Sequence, residues 1–223
     1  MKTKLIYLIL VALLCNCKEK VETLKPKVEE TKKEPKANPE VPAIIKELAN
    51  FSDMGLSGST DVNHLIEFKE VNQNGAIETI DQSAYLKLYS AQMKPQNSLV
   101  LPIFEIKDTN YAILMVKGTG FGGPIWAKVL VDRTTREIKK IEFGHKAESE
   151  GYGAGITNTS FKRQFTGAKI DLDKKSFGLS QSGKQVFPGE TMIDGISGAT
   201  ATSSAAIAMV NEGLQKYRTY LKP

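Results

Sequence analysis

Hydroxyl groups gathered behind a glycine turn are suited to carrying or cradling a phosphate, and one stretch of this 223-residue chain concentrates them. Asp194-Gly195-Ile196-Ser197-Gly198-Ala199-Thr200-Ala201-Thr202-Ser203 runs straight into Ala205-Ala206-Ile207-Ala208-Met209, a strongly helical start. Ser and Thr at a helix start satisfy free N–H groups, which accounts for Thr202 or Ser203. Capping does not account for hydroxyls recurring directly behind Gly198 and Ala199. Two other segments are richer in glycine than a core requires. Gly118-Thr119-Gly120-Phe121-Gly122-Gly123-Pro124-Ile125-Trp126 lies between two strand-like runs, and its spacing does not fit a dinucleotide fingerprint opening a helix. His145-Lys146-Ala147-Glu148-Ser149-Glu150-Gly151-Tyr152-Gly153 sets one imidazole among carboxylates, which is sparse for a metal site and reads as a solvated loop. His64 and His145 are the only imidazoles and no G-x-S-x-G occurs, so a hydrolase lacks its nucleophile and base.

Elements must bring these segments together, and short hairpins are the devices at hand. Residues 64–71 alternate as a strand, and residues 76–80 form a second after the Asn74-Gly75 turn. Asp81 reads as the N-cap of a short helix over residues 84–89. Residues 99–107 and 111–117 pair around Asp108-Thr109-Asn110, and residues 125–131 pair with 137–143 through residues 132–135. Thr157 is placed to cap a helix carrying Phe161 and Phe165; weak strands follow near residues 169–172 and 185–187. A long helix from Ser203 to about Leu221 ends the chain. Hairpins with short links predict an α+β fold, antiparallel sheet flanked by helices with a long C-terminal helix, not a doubly wound parallel sheet.

The N-terminus carries an address. A basic start, an apolar run over residues 5–14 and then Cys15-Asn16-Cys17 resemble a bacterial lipoprotein signal; the run is too short to span a bilayer comfortably. Cys17 is the expected lipidated residue, with Cys15 or a retained anchor as alternatives. Residues 1–16 are then the signal peptide. Residues 17–42 are the lipidated cysteine and a Lys/Glu/Pro tether unable to bury a core, and residues 43–223 are one domain. The chain has 2 Cys, both in this leader, which excludes a thiolate zinc fold, a disulfide scaffold and a cysteine-ligated cluster. Lys+Arg at 30 against Asp+Glu at 25 is a mild excess without a basic stripe, so no nucleic-acid partner is expected.

Taken in order, Leu101-Pro102-Ile103 leading to Gly118-x-Gly120, Trp126, His145-x-x-Glu148-Ser149-x-Gly151-x-Gly153, residues 161–167 and Asp194-x-x-Ser197-Gly198-Ala199-Thr200 resemble the FMN-binding domain family. That family includes the C subunit of sodium-translocating NADH:quinone reductase and the G subunit of the Rnf complex. The resemblance covers the chain from about Leu99 to the last helix. The extra Gly122-Gly123-Pro124 before Trp126 departs from the tighter turn of the reductase protein.

The resemblance implies FMN joined to Thr200 as a phosphoester by a flavin transferase, with Asp194, Ser197, Gly198 and Ala199 completing the target. A phosphodiester there suits a helix N-terminus, with Ser197, Thr202 and Ser203 donating to its oxygens. Phe121 and Trp126 are candidate walls for the ring, and Gly118, Gly120, Glu148, Ser149, Gly151 and Gly153 belong to the expected cofactor site. The function implied is a lipid-anchored flavoprotein of the cell envelope, facing the periplasm or exterior. It relays electrons between a donor and an acceptor protein. Membership of a reductase or Rnf-type complex and a non-redox lipoprotein binding module are the alternatives.

Overall fold

A computed structural model describes residues 41–56, 62–94, 99–180 and 188–222. Its centre is a six-stranded sheet, antiparallel throughout, made of β1 (Ile66–Val71), β2 (Ile77–Thr79), β3 (Leu101–Ile106), β4 (Tyr111–Thr119), β5 (Pro124–Asp132) and β6 (Glu137–His145). The spatial order is β2-β1-β3-β4-β5-β6. The fold is α+β, as the hairpin spacing predicts.

Both faces of the sheet are covered. In β5, Ile125, Ala127, Val129 and Val131 pack in one core and Leu130 in the other, with Trp126 set against that second core. This is the period-2 alternation of a strand buried on two sides. The first core is closed by the long helix α4 (Thr200–Lys216), through Ala206, Ile207, Met209, Val210 and Leu214. The second is closed by two N-terminal helices. They are α1 (Ala43–Phe51), led by Pro42, and α2 (Gln82–Gln92), whose N-cap Asp81 accepts the Ala84 N–H at 2.8 Å. Val41, two residues before the expected boundary at residue 43, is also buried.

Several elements differ from expectation. The helix awaited after Thr157 is broken: a 3-10 turn (Gly153–Thr157) is followed by the one-turn α3 (Thr159–Lys162) and a second 3-10 turn (Arg163–Phe165). Thr157 hydrogen-bonds back to the Ala154 carbonyl at 2.9 Å and caps nothing. What holds this segment is aromatic packing, since Phe143, Phe161 and Phe165 meet with centroids 5.4–5.6 Å apart. Residues 169–172 contribute one isolated bridge, Lys169 to Glu137, not a strand. Residues 185–187 lie outside the described residues. A parallel two-stranded sheet, β7 (Phe177–Ser180) with β8 (Thr191–Asp194), stands where no pairing is expected.

The last helix starts at Thr200, three residues earlier than Ser203. The reason is the Ser203 side chain, which donates to the Ala199 carbonyl at 2.9 Å and accepts the Ile196 N–H at 2.9 Å. It acts from inside the first turn. At the other end α4 stops at Lys216, and a short α5 (Arg218–Leu221) follows Tyr217.

Candidate functional site

The three glycine-bearing segments converge on one buried carboxylate. Glu148 is 7% exposed, and its Oε1 accepts the Gly122 N–H at 2.8 Å while its Oε2 accepts the Thr202 hydroxyl at 2.7 Å. Each segment contributes: the β4–β5 loop through Gly122, the loop after β6 through Glu148, and the first turn of α4 through Thr202. Its main-chain N–H turns back to His145 Nδ1 at 3.3 Å, which fits a local loop role for the imidazole.

Glycine makes this convergence possible. A Cβ on Gly120 or on Gly153 would land on the Glu148 carboxylate, and one on Gly153 would also sit 2.8 Å from the Thr202 hydroxyl oxygen. One on Gly122 would strike the Ala147 carbonyl. Gly118 has a different duty. Within β4, it faces Met209 of α4, 3.0 Å from where its Cβ would be, and lets the helix lie close to the strand. These glycines make room for protein atoms, a use that spacing alone does not distinguish from room for a ligand.

Thr202 and Ser203 are both buried, with hydroxyls held by Glu148 and Ala199. They point into the protein, whereas a role as phosphate donors would need them turned outward. Thr200 is exposed at the first position of α4, behind Ala199, an N-cap residue without a side-chain acceptor. Ser197 and Gly198 are exposed, and Ala199 is buried. The Asp194 side chain is exposed, and its backbone is clamped by Gln164, whose Oε1 accepts the Asp194 N–H at 2.7 Å and whose Nε2 donates to its carbonyl at 3.3 Å. Nothing in the sequence pattern singles out Gln164.

Phe121 is 84% exposed, on the loop that Glu148 secures. Trp126 is placed differently. It packs with the second core, over its cross-strand neighbour Gly144, so its ring and α4 lie on opposite faces of the sheet. Ser149 and Gly151 are exposed, and Gly151 takes the left-handed φ of +75° that turns the loop. Between Gly151 and Gly153 stands Tyr152, which no motif in the sequence marks as a site residue. It is 58% exposed and lies against Gly198. An aromatic between two glycines is the one sign of it in the sequence. Cys17 falls outside the described residues.

Among the described residues no group of three or more His, Cys, Asp and Glu is placed to hold a metal ion, and no helix is long and apolar enough to cross a membrane.

Comparison with known proteins places this geometry in a family context. Residues 120–215 match the FMN-binding domain. The C subunit of the Na(+)-translocating NADH-quinone reductase of Chlamydia caviae is 27% identical over 178 residues, 71% of this chain and 55% of that protein. Its Chlamydia muridarum counterpart is 29% identical over 198 residues, 80% of this chain and 61% of that protein. The chain thus spans little more than half the length of these relatives. The crystal structure of the corresponding reductase protein from Parabacteroides distasonis superposes with a TM-score of 0.62 at 29% identity, covering 80% of this chain and 90% of that one. NqrC of Shewanella oneidensis, at 18% identity and a TM-score of 0.59, shares the fold.

Proposed function

We propose, for a chain whose residues 120–215 belong to the FMN-binding domain family, that Thr200 is the acceptor of a covalent FMN and that the protein relays electrons between protein partners. The observation that carries this reading is the position of one hydroxyl. Thr200 is exposed and opens a helix of 17 residues, and the flanking hydroxyls of Thr202 and Ser203 are turned inward. The first N–H groups of α4 have no intrahelical partner. A phosphodiester on Thr200 would set a single negative charge at the positive end of that helix. The fit is therefore good: an exposed hydroxyl at the first position of α4, a helix start without a side-chain cap, and exposed Phe121 in the same three-segment assembly.

Attachment balances as a phosphoryl transfer from a flavin dinucleotide. A bond forms between the Thr200 hydroxyl oxygen and phosphorus, the pyrophosphate P–O bond breaks, and a nucleoside monophosphate leaves. The hydroxyl proton passes to a base of the transferase, and no electrons move. Once bound, FMN supplies one- and two-electron redox chemistry. The chain's part is to hold the phosphate at α4 and to keep the attachment turn in shape through Glu148 and Ser203.

The matched relatives favour a more specific form of this reading, in which the chain serves as an NqrC-like member of a membrane redox complex. Cys17 would carry the lipid, and the tether would hold the domain at the membrane on the periplasmic or outer side. Transient redox encounters bury little surface, which suits a tethered domain.

Co-expression with a flavin transferase tests the central claim. The peptide containing Thr200 gains the mass of one FMN less one water, and Thr200→Val, which keeps the shape and drops the hydroxyl, gains nothing while remaining folded. A wild-type peptide left unmodified by an active transferase would favour the non-redox binding module instead. An adduct on Ser197 or Thr202 would overturn the choice of Thr200.

A further inference from the structure

Segment 196–202 is gripped at two points, with Thr200 between them. One grip is the Glu148 carboxylate on Thr202. The other is on the solvent side, four residues further along the same loop. There the Tyr152 ring stands against Gly198, with Cδ1 and Cε1 2.9 and 3.0 Å from where a Cβ would be. Gly198 has φ +72° and occupies the third position of a turn closed by the Ala199 N–H to the Ile196 carbonyl at 3.0 Å. A left-handed φ at that position favours glycine, and the ring excludes a side chain there for a second, independent reason.

Tyr152 is itself held. Its N–H donates to the Ser149 carbonyl at 3.2 Å, and its carbonyl accepts the Gly155 N–H at 2.9 Å. A tyrosine that is 58% exposed contributes little to a core, so a ring resting on a turn calls for another use.

We propose that Tyr152 is a positioning residue for flavin attachment: its ring, seated on Gly198, holds the turn that presents the Thr200 hydroxyl to the transferase. The inference rests on Thr200 being the acceptor and names the residue that shapes the acceptor. Tyr152 touches neither the reacting oxygen nor the phosphorus; it acts through the geometry of residues 196–199. The ring is the working part, since the contact with Gly198 is made by ring carbons, not by the hydroxyl.

The experiment is the initial rate of mass gain with purified flavin transferase and FAD, at limiting transferase, for the full folded domain. Tyr152→Ala should load roughly ten- to a hundredfold more slowly, the scale of a misplaced reacting group. Tyr152→Phe should load at the wild-type rate. Gly198→Ala should also be slow, and adding it to Tyr152→Ala should cost less than it does alone, because the ring it collides with is gone. Wild-type loading with an unchanged rate for Tyr152→Ala overturns the inference and leaves the acceptor assignment standing. Slowing shared equally by Tyr152→Phe, or a Tyr152→Ala protein without a cooperative melt, overturns it as well. Wild-type protein that does not load at all overturns the acceptor assignment, and the inference with it.

Discussion

A carboxylate 7% exposed and satisfied by one backbone N–H and one hydroxyl makes Glu148 the most demanding residue of the site. Glu148→Ala strands the buried Thr202 hydroxyl, at a cost of about 1–3 kcal/mol. For a domain of this size that corresponds to a fall in melting temperature of roughly 2–12 °C, measurable by calorimetry. Glu148→Gln keeps an acceptor for Gly122 and offers an N–H to Thr202, whose hydroxyl can rotate to accept, so it should melt much closer to wild type. A pair of variants that melt alike would remove the clasp from the account. Glu148, Thr202 and the glycines around them stand out in the sequence as a site, but their direction does not. Loops have no period from which to read inside from outside. Trp126 shows the same limit in a strand: alternation sets it opposite Ile125 and Ala127, yet with both faces covered, alternation leaves open which face meets α4.

At the scale of elements, the close approach of α4 to β4 decides where the site stands. Gly213 lies mid-helix, where glycine costs about 1 kcal/mol of helix propensity relative to alanine. A Cβ there would come within 2.5 Å of Val116, which explains the glycine. Gly213→Ala should therefore destabilise the domain by about 1–3 kcal/mol in chemical denaturation despite its better propensity. A stabilised variant would mean that the helix has room to shift. Farther along, the Tyr217 hydroxyl accepts the Met115 N–H at 3.2 Å and lies 2.9 and 3.1 Å from the Met115 and Pro102 carbonyls, wedged between β3 and β4. Burial pushes that phenol well above its ordinary pKa, so it stays a donor. The hairpins were legible because alternation and turn residues are local. The β7–β8 pairing and the break at Tyr217 were not, since both depend on partners far along the chain.

Over the whole molecule, the sheet separates two cores, and the N-terminal helices serve only the second. Removing residues 1–40 should leave the melting temperature within about 2 °C of the full chain, because beyond its leader that stretch carries only a few scattered apolar residues among Lys, Glu and Pro. Removing residues 1–51 also deletes Val41, Ile45, Leu48 and Phe51, all buried, and the Glu47 partner of Lys128. At about 1.5–3 kcal/mol per large apolar side chain, that truncation should abolish cooperative unfolding. Equal melting of the two truncations would show that α1 is dispensable. Composition put the expected domain boundary at residue 43, where charge and proline thin out. The contact between Glu148 and Thr202 has a consequence in time as well as space. It spans 54 residues of chain and needs the final helix docked before it can form. A nascent or misfolded chain would hold the linear segment 194–200 without its gripped turn. If Thr200 is the acceptor and a transferase reads that turn, as proposed above, loading would wait for α4 to dock and would act as a checkpoint on completed folding.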